Sequence, residues 1–180
     1  MIRDAAETPT TAVTRDRLTL RPIAPEDEAF LCRVYASTRE EELAVVPWSE
    51  AQKAAFLQMQ FQAQHAFYAE NYTRAQFDVI LLDAVPVGRL YVDRRKHEIR
   101  IVDIALLPDY RRQGIGTLLL QEILAEGASR GVPVTIHVEM NNPALALYRR
   151  LGFRHAADHG LYYLMQWQSM PPEDPRDVTE

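Results

Sequence analysis

The chain carries a single cysteine, Cys32, among its 180 residues. No disulfide can close within it and no C-x-x-C metal site exists, which excludes a disulfide scaffold and a cysteine-based zinc module. No apolar run nears the roughly 18 residues of a membrane-spanning helix. The opening "MIRDAAETPTTAVT" has no apolar core and does not read as a secretory leader, so the expected compartment is the cytoplasm. A basic excess is missing too, since 20 Lys and Arg stand against 25 Asp and Glu for a net charge of −5. That balance argues against a nucleic-acid or membrane-surface partner, either of which wants a basic face. It is compatible with a cationic acceptor such as an amine. No Gly-Lys-Ser/Thr occurs, which removes a kinase-type P-loop.

What is there suits one domain. Hydrophobic residues make up 47% of the chain and charged ones 25%, enough for a sizeable core in a globular protein. Residues 1–14 lack periodicity and the Pro-rich, acidic stretch 170–180 resembles a tail, so both are expected to be loose around a domain at 15–169. "RLTLRPI" alternates as a strand. Pro25-Glu26-Asp27 opens a helix. Ser49-x-x-Gln52 is a capping box before a long helix with Phe56, Met59, Ala63 and Phe67 on one face. "FDVILLD" and "VPVGRLYVD" read as strands about a turn near Ala84-Val85-Pro86, and "HEIRIVDIALL" as a third. Gly114 to Arg130 fits a helix striped by Ile115, Leu119 and Ile123. "VPVTIHV" is a buried strand, Pro143 to Leu151 a short helix, and a last strand pair turns at Asp158-His159-Gly160. The order β, helices, βββ, α, β, α, ββ gives a mixed α/β or α+β sheet.

Within "DIALLPDYRRQGIGTLLL" the basic pair Arg111-Arg112 precedes Gly114-Ile115-Gly116 and a helix. A helix start offers unpaired N–H groups and partial positive charge, glycines permit close approach, and arginine adds paired donors, so the local chemistry suits a diphosphate. A dinucleotide fingerprint is the rival. It fails because Leu119 stands where its third glycine belongs and Pro108-Asp109-Tyr110 separates strand from glycines. The bland alternative is a solvated basic turn.

One strand later comes "NNPALALYRRLGF", Asn141 to Phe153. R-x-x-G-x-G followed by N-x-x-A-x-x-L-Y-x-x-x-G-F resembles the GNAT superfamily of acyl-CoA-dependent N-acyltransferases, strongly over about residues 97–168 and by element order alone before that. The resemblance implies a mostly antiparallel central sheet with helices on both faces and one parallel strand pair, "RIVDIAL" and "VTIHV", splayed like a V. Acetyl-CoA would be the cosubstrate, with no metal. Its pantetheine arm would meet backbone groups of Ile104, Ala105 and Leu106 and the side chain of Asn141. Arg111, Arg112, Gln113, Gly114, Ile115 and Gly116 would wrap the pyrophosphate. Tyr148 would hand a proton to the departing thiolate, and a strand N–H around Leu106 would hold the oxyanion. A purely structural role for Tyr148 stays open, since it shares helical spacing with Ala144, Leu147 and Leu151.

The general base is open as well. The strand Val134-Thr135-Ile136-His137-Val138 has no acid before Glu139, leaving Asp103, Glu98, or water chains from Glu41 or Glu42 as candidates, each equally readable as a surface charge. Glu41, Glu42 and Trp48 are also candidates to border the acceptor site. Cys32 reads as a small core or boundary residue, His155-x-x-x-His159 as a strand–turn pair rather than zinc ligands, and Gln58, Gln60, Gln62 and Gln64 as solvated. The expected activity is direct acetyl transfer in a ternary complex, to a small-molecule amine or a protein amino group, with a homodimer compatible with the family. A non-catalytic acyl-CoA sensor, or a domain serving a protein assembly, are the alternatives.

Overall fold

The structure, a computed structural model, describes residues 13–169. The expectation of loose ends falls almost wholly on 1–12 and 170–180, outside the described residues. Seven strands form one sheet. They are β1 (Leu18–Pro22), β2 (Gln76–Leu82), β3 (Val85–Arg94), β4 (Ile99–Leu106), β5 (Val134–Glu139), β6 (Arg154–His159) and β7 (Tyr162–Trp167), in the order β1-β2-β3-β4-β5-β7-β6. Every neighbour pair is antiparallel except β4 with β5. The helices are α1 (Glu28–Ser37), α2 (Glu40–Ala44), α3 (Glu50–Asn71), α4 (Ile115–Arg130) and α5 (Leu145–Arg150). The mixed sheet and its parallel pair stand as the sequence implied.

Alternation divides the strands between two cores. Leu90, Val92, Ile99, Ile101, Val134, Ile136 and Val138 pack with Ile115, Leu119 and Ile123 of α4. On the opposite face Val79 joins Phe30, Leu31, Val34 and Tyr35 of α1 and Phe61 of α3. Local chemistry accounts for the element ends. Pro25–Asp27 is a single 3-10 turn before α1 rather than its first turn, and Asp27 closes it by accepting from the Ala24 N–H and from both Arg21 Nη atoms, each at 2.8 Å. The α3 capping box forms as expected, with Ser49 Oγ accepting from the Gln52 N–H at 3.3 Å and Gln52 Oε1 from the Ser49 N–H at 2.9 Å. The β2–β3 turn falls at Asp83-Ala84, slightly earlier than expected, with both residues at positive φ (50° and 65°), as a tight two-residue hairpin requires.

The α3 stripe is a correction. Met59 and Phe67 are more than half exposed, and the one fully buried side chain of the helix is Phe61. At about 100° per residue, the packed face is turned roughly 120° from the apolar one. It carries Leu57, Phe61, Gln64 and Tyr68, because the sheet beneath offers polar partners. Those partners lie beside the site.

Candidate active site

β4 and β5 pair over three residues only, Ile99↔Val134, Arg100↔Thr135 and Ile101↔Ile136. Beyond them β4 keeps its full pairing with β3, and β5 its full pairing with β7. At the parting β4 carries a bulge, since Tyr91 faces Asp103 and Val92 faces Ile101, leaving Val102 unmatched. A bulge bends and twists its strand, which swings Asp103 to Leu106 away from β5. Gly88 permits the bend. A Cβ there would lie 2.3 Å from the Ala105 carbonyl oxygen, so only glycine lets β3 follow β4 this closely. The splayed pair expected from the resemblance is therefore present, with Ile104, Ala105 and Leu106 on its open limb. Their β5-facing backbone groups meet no strand, a costly state for buried amides unless another group pairs with them.

The open limb leads into the glycine turn. Pro108–Tyr110 makes one 3-10 turn, and Gln113 Nε2 donates to the Asp109 carbonyl at 2.6 Å. Arg112 and Gly114 then take left-handed φ values of 58° and 88°. Leu118 N–H to Gly114 O, at 3.0 Å, is the first bond of α4, and no side chain caps the helix. The N–H groups of Ile115, Gly116 and Thr117 thus have no acceptor among the described residues, at the positive end of a 16-residue helix. The two arginines diverge. Arg111 donates to the Leu106 carbonyl (2.8 Å) and to Ser37 O and Oγ (3.0 and 2.9 Å), bracing the end of β4 against α1. Arg112 is exposed, with no side-chain partner among the described residues.

Tyr148 lies on α5, which starts at Leu145 rather than Pro143, after a turn in which Asn142 Oδ1 accepts from the Ala144 N–H at 2.8 Å. The sequence reading passed over Asn142. Its neighbour Asn141 is exposed. The Tyr148 ring is buried against Phe153, centroids 5.6 Å apart. Burial, and then the negative charge of Asp103, push its phenol well above the ordinary tyrosine range.

Asp103 belongs to a network that sequence reasoning missed. Its Oδ2 accepts from Arg89 Nη2 at 2.7 Å and from Tyr68 OH at 3.3 Å, and Arg89 Nη2 also donates to Gln64 Oε1 at 2.8 Å. Arg89 is 3% exposed and lies over the Tyr91 ring. Gln64, expected to be solvated, is half-buried in this network. The remaining base candidates are scattered. Glu98 sits at the closed end of the V, bound to Thr135, Arg95 and Arg100. Glu41 and Glu42 are exposed on α2, Glu42 paired with Arg39. Arg39 also grips Glu139 at the tip of β5, at 2.8 Å. Trp48 packs edge-on against Phe56.

Comparison with known proteins agrees with this architecture. The sequence pattern of the Acetyltransferase (GNAT) family matches residues 27–153, and the chain belongs to that family. Over 69 residues it is 42% identical to the ribosomal protein bS18-alanine N-acetyltransferase of Escherichia coli, a match covering 37% of this chain and 46% of that relative. It is 38% identical over 66 residues to an N-alpha-acetyltransferase of Sulfurisphaera tokodaii, covering 35% and 40% of the two chains. The matched stretches thus span about half the length of these relatives or less. In fold the chain resembles the PaiA N-acetyltransferase of Thermoplasma acidophilum in complex with coenzyme A, with a TM-score of 0.64 and 17% identity over 84% of this chain and 99% of that one. It also resembles the Escherichia coli ribosomal-protein-S18-alanine enzyme, with a TM-score of 0.53 and 24% identity over 87% and 97%.

Proposed function

We propose that the chain transfers an acetyl group from acetyl-CoA to a primary amine, and that this amine is a protein α-amino group. The carrying observation is the parting of β4 from β5 directly in front of an uncapped α4 N-terminus. The names of the bS18-alanine and N-alpha-acetyltransferase relatives support the choice of acceptor.

In this reading the pantetheine arm lies along Ile104, Ala105 and Leu106 and supplies the hydrogen bonds that β5 withholds, with Asn141 reaching it from the other limb. The amides of Gln113 to Gly116 and the Arg112 guanidinium hold the pyrophosphate, while Arg111 keeps the loop in place. The amine attacks the thioester carbon, and a β4 N–H near Leu106 stabilises the oxyanion. When the C–S bond breaks, the electron pair goes to sulfur and Tyr148 donates to it. The raised phenol is fully protonated at neutral pH, and the same apolar pocket raises the basicity of the thiolate it meets. Among the base candidates Asp103 is best placed. It lies on the open limb, three residues from Leu106, and its charge is felt at Tyr148, whereas Glu98 is eight residues from Leu106, about 26 Å at strand rise.

Thiol release from acetyl-CoA with alanine-starting peptides tests the proposal, with wild type set against Tyr148→Phe. Transfer by the wild type is expected. CoA binding without thiol release from any amine would favour the sensor alternative.

A further inference from the structure

Resting on that reading, we infer that the acceptor is an extended peptide whose amino end lies beside Leu106, at the far end of the open limb of β4, and whose residues six to eight are acidic, seated in a cationic groove at the closed end of the sheet. The groove, about 670 Å³, lies away from the glycine turn and is lined in part by Arg74, Lys96, Arg100, Thr135 and Gln166. It continues a trough on the face opposite α4. There β5 presents Thr135, His137 and Glu139, while its alternate residues are buried on the α4 side. His137, Tyr162 and Arg154 are exposed. α3 forms one wall, with Tyr68 reaching Asp103 midway and Asn71 to Arg74 at its far end.

The charges along this trough are polarised. Toward the open end Asp103 and Glu139 are each held by an arginine, Arg89 at 2.7 Å and Arg39 at 2.8 Å. At the closed end Asp93 and Glu98 are already held by Arg95 at 2.7 and 2.6 Å, and Glu98 by Arg100 at 3.2 Å. Arg74, Lys96 and Arg154 are exposed and face no carboxylate among the described residues. This local cation excess on a chain of net charge −5 selects anions at one spot without the broad basic field a nucleic acid needs. Length fixes the register. The eight-residue step from Glu98 to Leu106 spans about 26 Å, the reach of about eight extended peptide residues, so the cations meet positions six to eight.

Fluorescence anisotropy on the full chain with CoA present tests this. The probes are three labelled decapeptides beginning with alanine and carrying Glu, Gln or Lys at positions six to eight. The Glu peptide is expected to bind at least 10-fold tighter than the Gln peptide, with the Lys peptide weakest and the order erased by 500 mM salt. Arg74→Glu/Lys96→Glu, checked for an unchanged melting temperature, should reverse the order. Equal affinities, an order unchanged in the double variant, or a single-stranded oligonucleotide that displaces the Glu peptide better than its unlabelled form does would each overturn the inference. Thiol release reads the underlying proposal separately. A bound Glu peptide that releases no thiol refutes transfer alone, and equal turnover of all three peptides refutes the groove alone.

Discussion

Tyr148 and Arg89 show how different buried polar groups earn their place. Tyr148 is expected to act in chemistry. Replacing it with Phe keeps the ring, so turnover should fall about 10²-fold, within the usual range for a positioned acid, while CoA affinity stays unchanged. Unaltered kcat would return Tyr148 to the core. Arg89 is expected to act through Asp103. Arg89→Met strands a half-buried carboxylate, costing about 3–5 kcal/mol of stability, and adding Asp103→Asn should recover much of that loss in urea unfolding. Neither role was legible from residue type alone. The arginine reads as one polar position in "VPVGRLYVD" until the register places Arg89 opposite Ala105 and Tyr91 opposite Asp103. Asp27 carries a pH prediction. The Arg21 fork holds its carboxyl below the usual range, so as pH falls the unfolded chain binds that proton first. Its stabilisation is present above about pH 4 and lost as pH drops through the lower folded value. Urea midpoints should fall less steeply between about pH 5 and 3 in Asp27→Asn than in wild type; matching slopes would contradict this.

Among the elements, β4 and α3 behaved differently under sequence reading. The strand, its loop and α4 were readable because glycines, proline and a strong apolar stripe all point the same way. In α3 the pattern was readable and the direction was not, since the helix packs its mixed face on the polar residues of β3 and β4 and leaves Met59 and Phe67 outside. Periodicity reports that a face exists, and only the opposing surface decides which face is buried. Two glycines separate fold from ligand at this scale. Gly88→Ala drives a Cβ into the Ala105 carbonyl and should cost about 1–3 kcal/mol as an overpacked site. Gly114→Ala meets no neighbouring atom within 4 Å, so its cost is the left-handed φ alone, about 1–2 kcal/mol, accompanied by weaker CoA binding. Thermal melts with and without CoA distinguish the two.

In the whole molecule, a sheet that opens at one end leads directly into a helix whose first amides are uncapped. The second half of the chain carried this in two motifs one strand apart. The acceptor side was illegible because it is assembled from β3, β4, β5 and α3, whose polar residues are scattered in the chain. CoA at 100 times its Kd should stabilise the fold by about 2.7 kcal/mol, but such a gain does not locate the ligand. Hydrogen exchange resolved along the chain does. With saturating CoA, the account predicts slowed exchange in both 103–106 and 113–117. Binding that protects the helix start while 103–106 exchanges at its unliganded rate would contradict the claim that the parted strands receive the thioester arm.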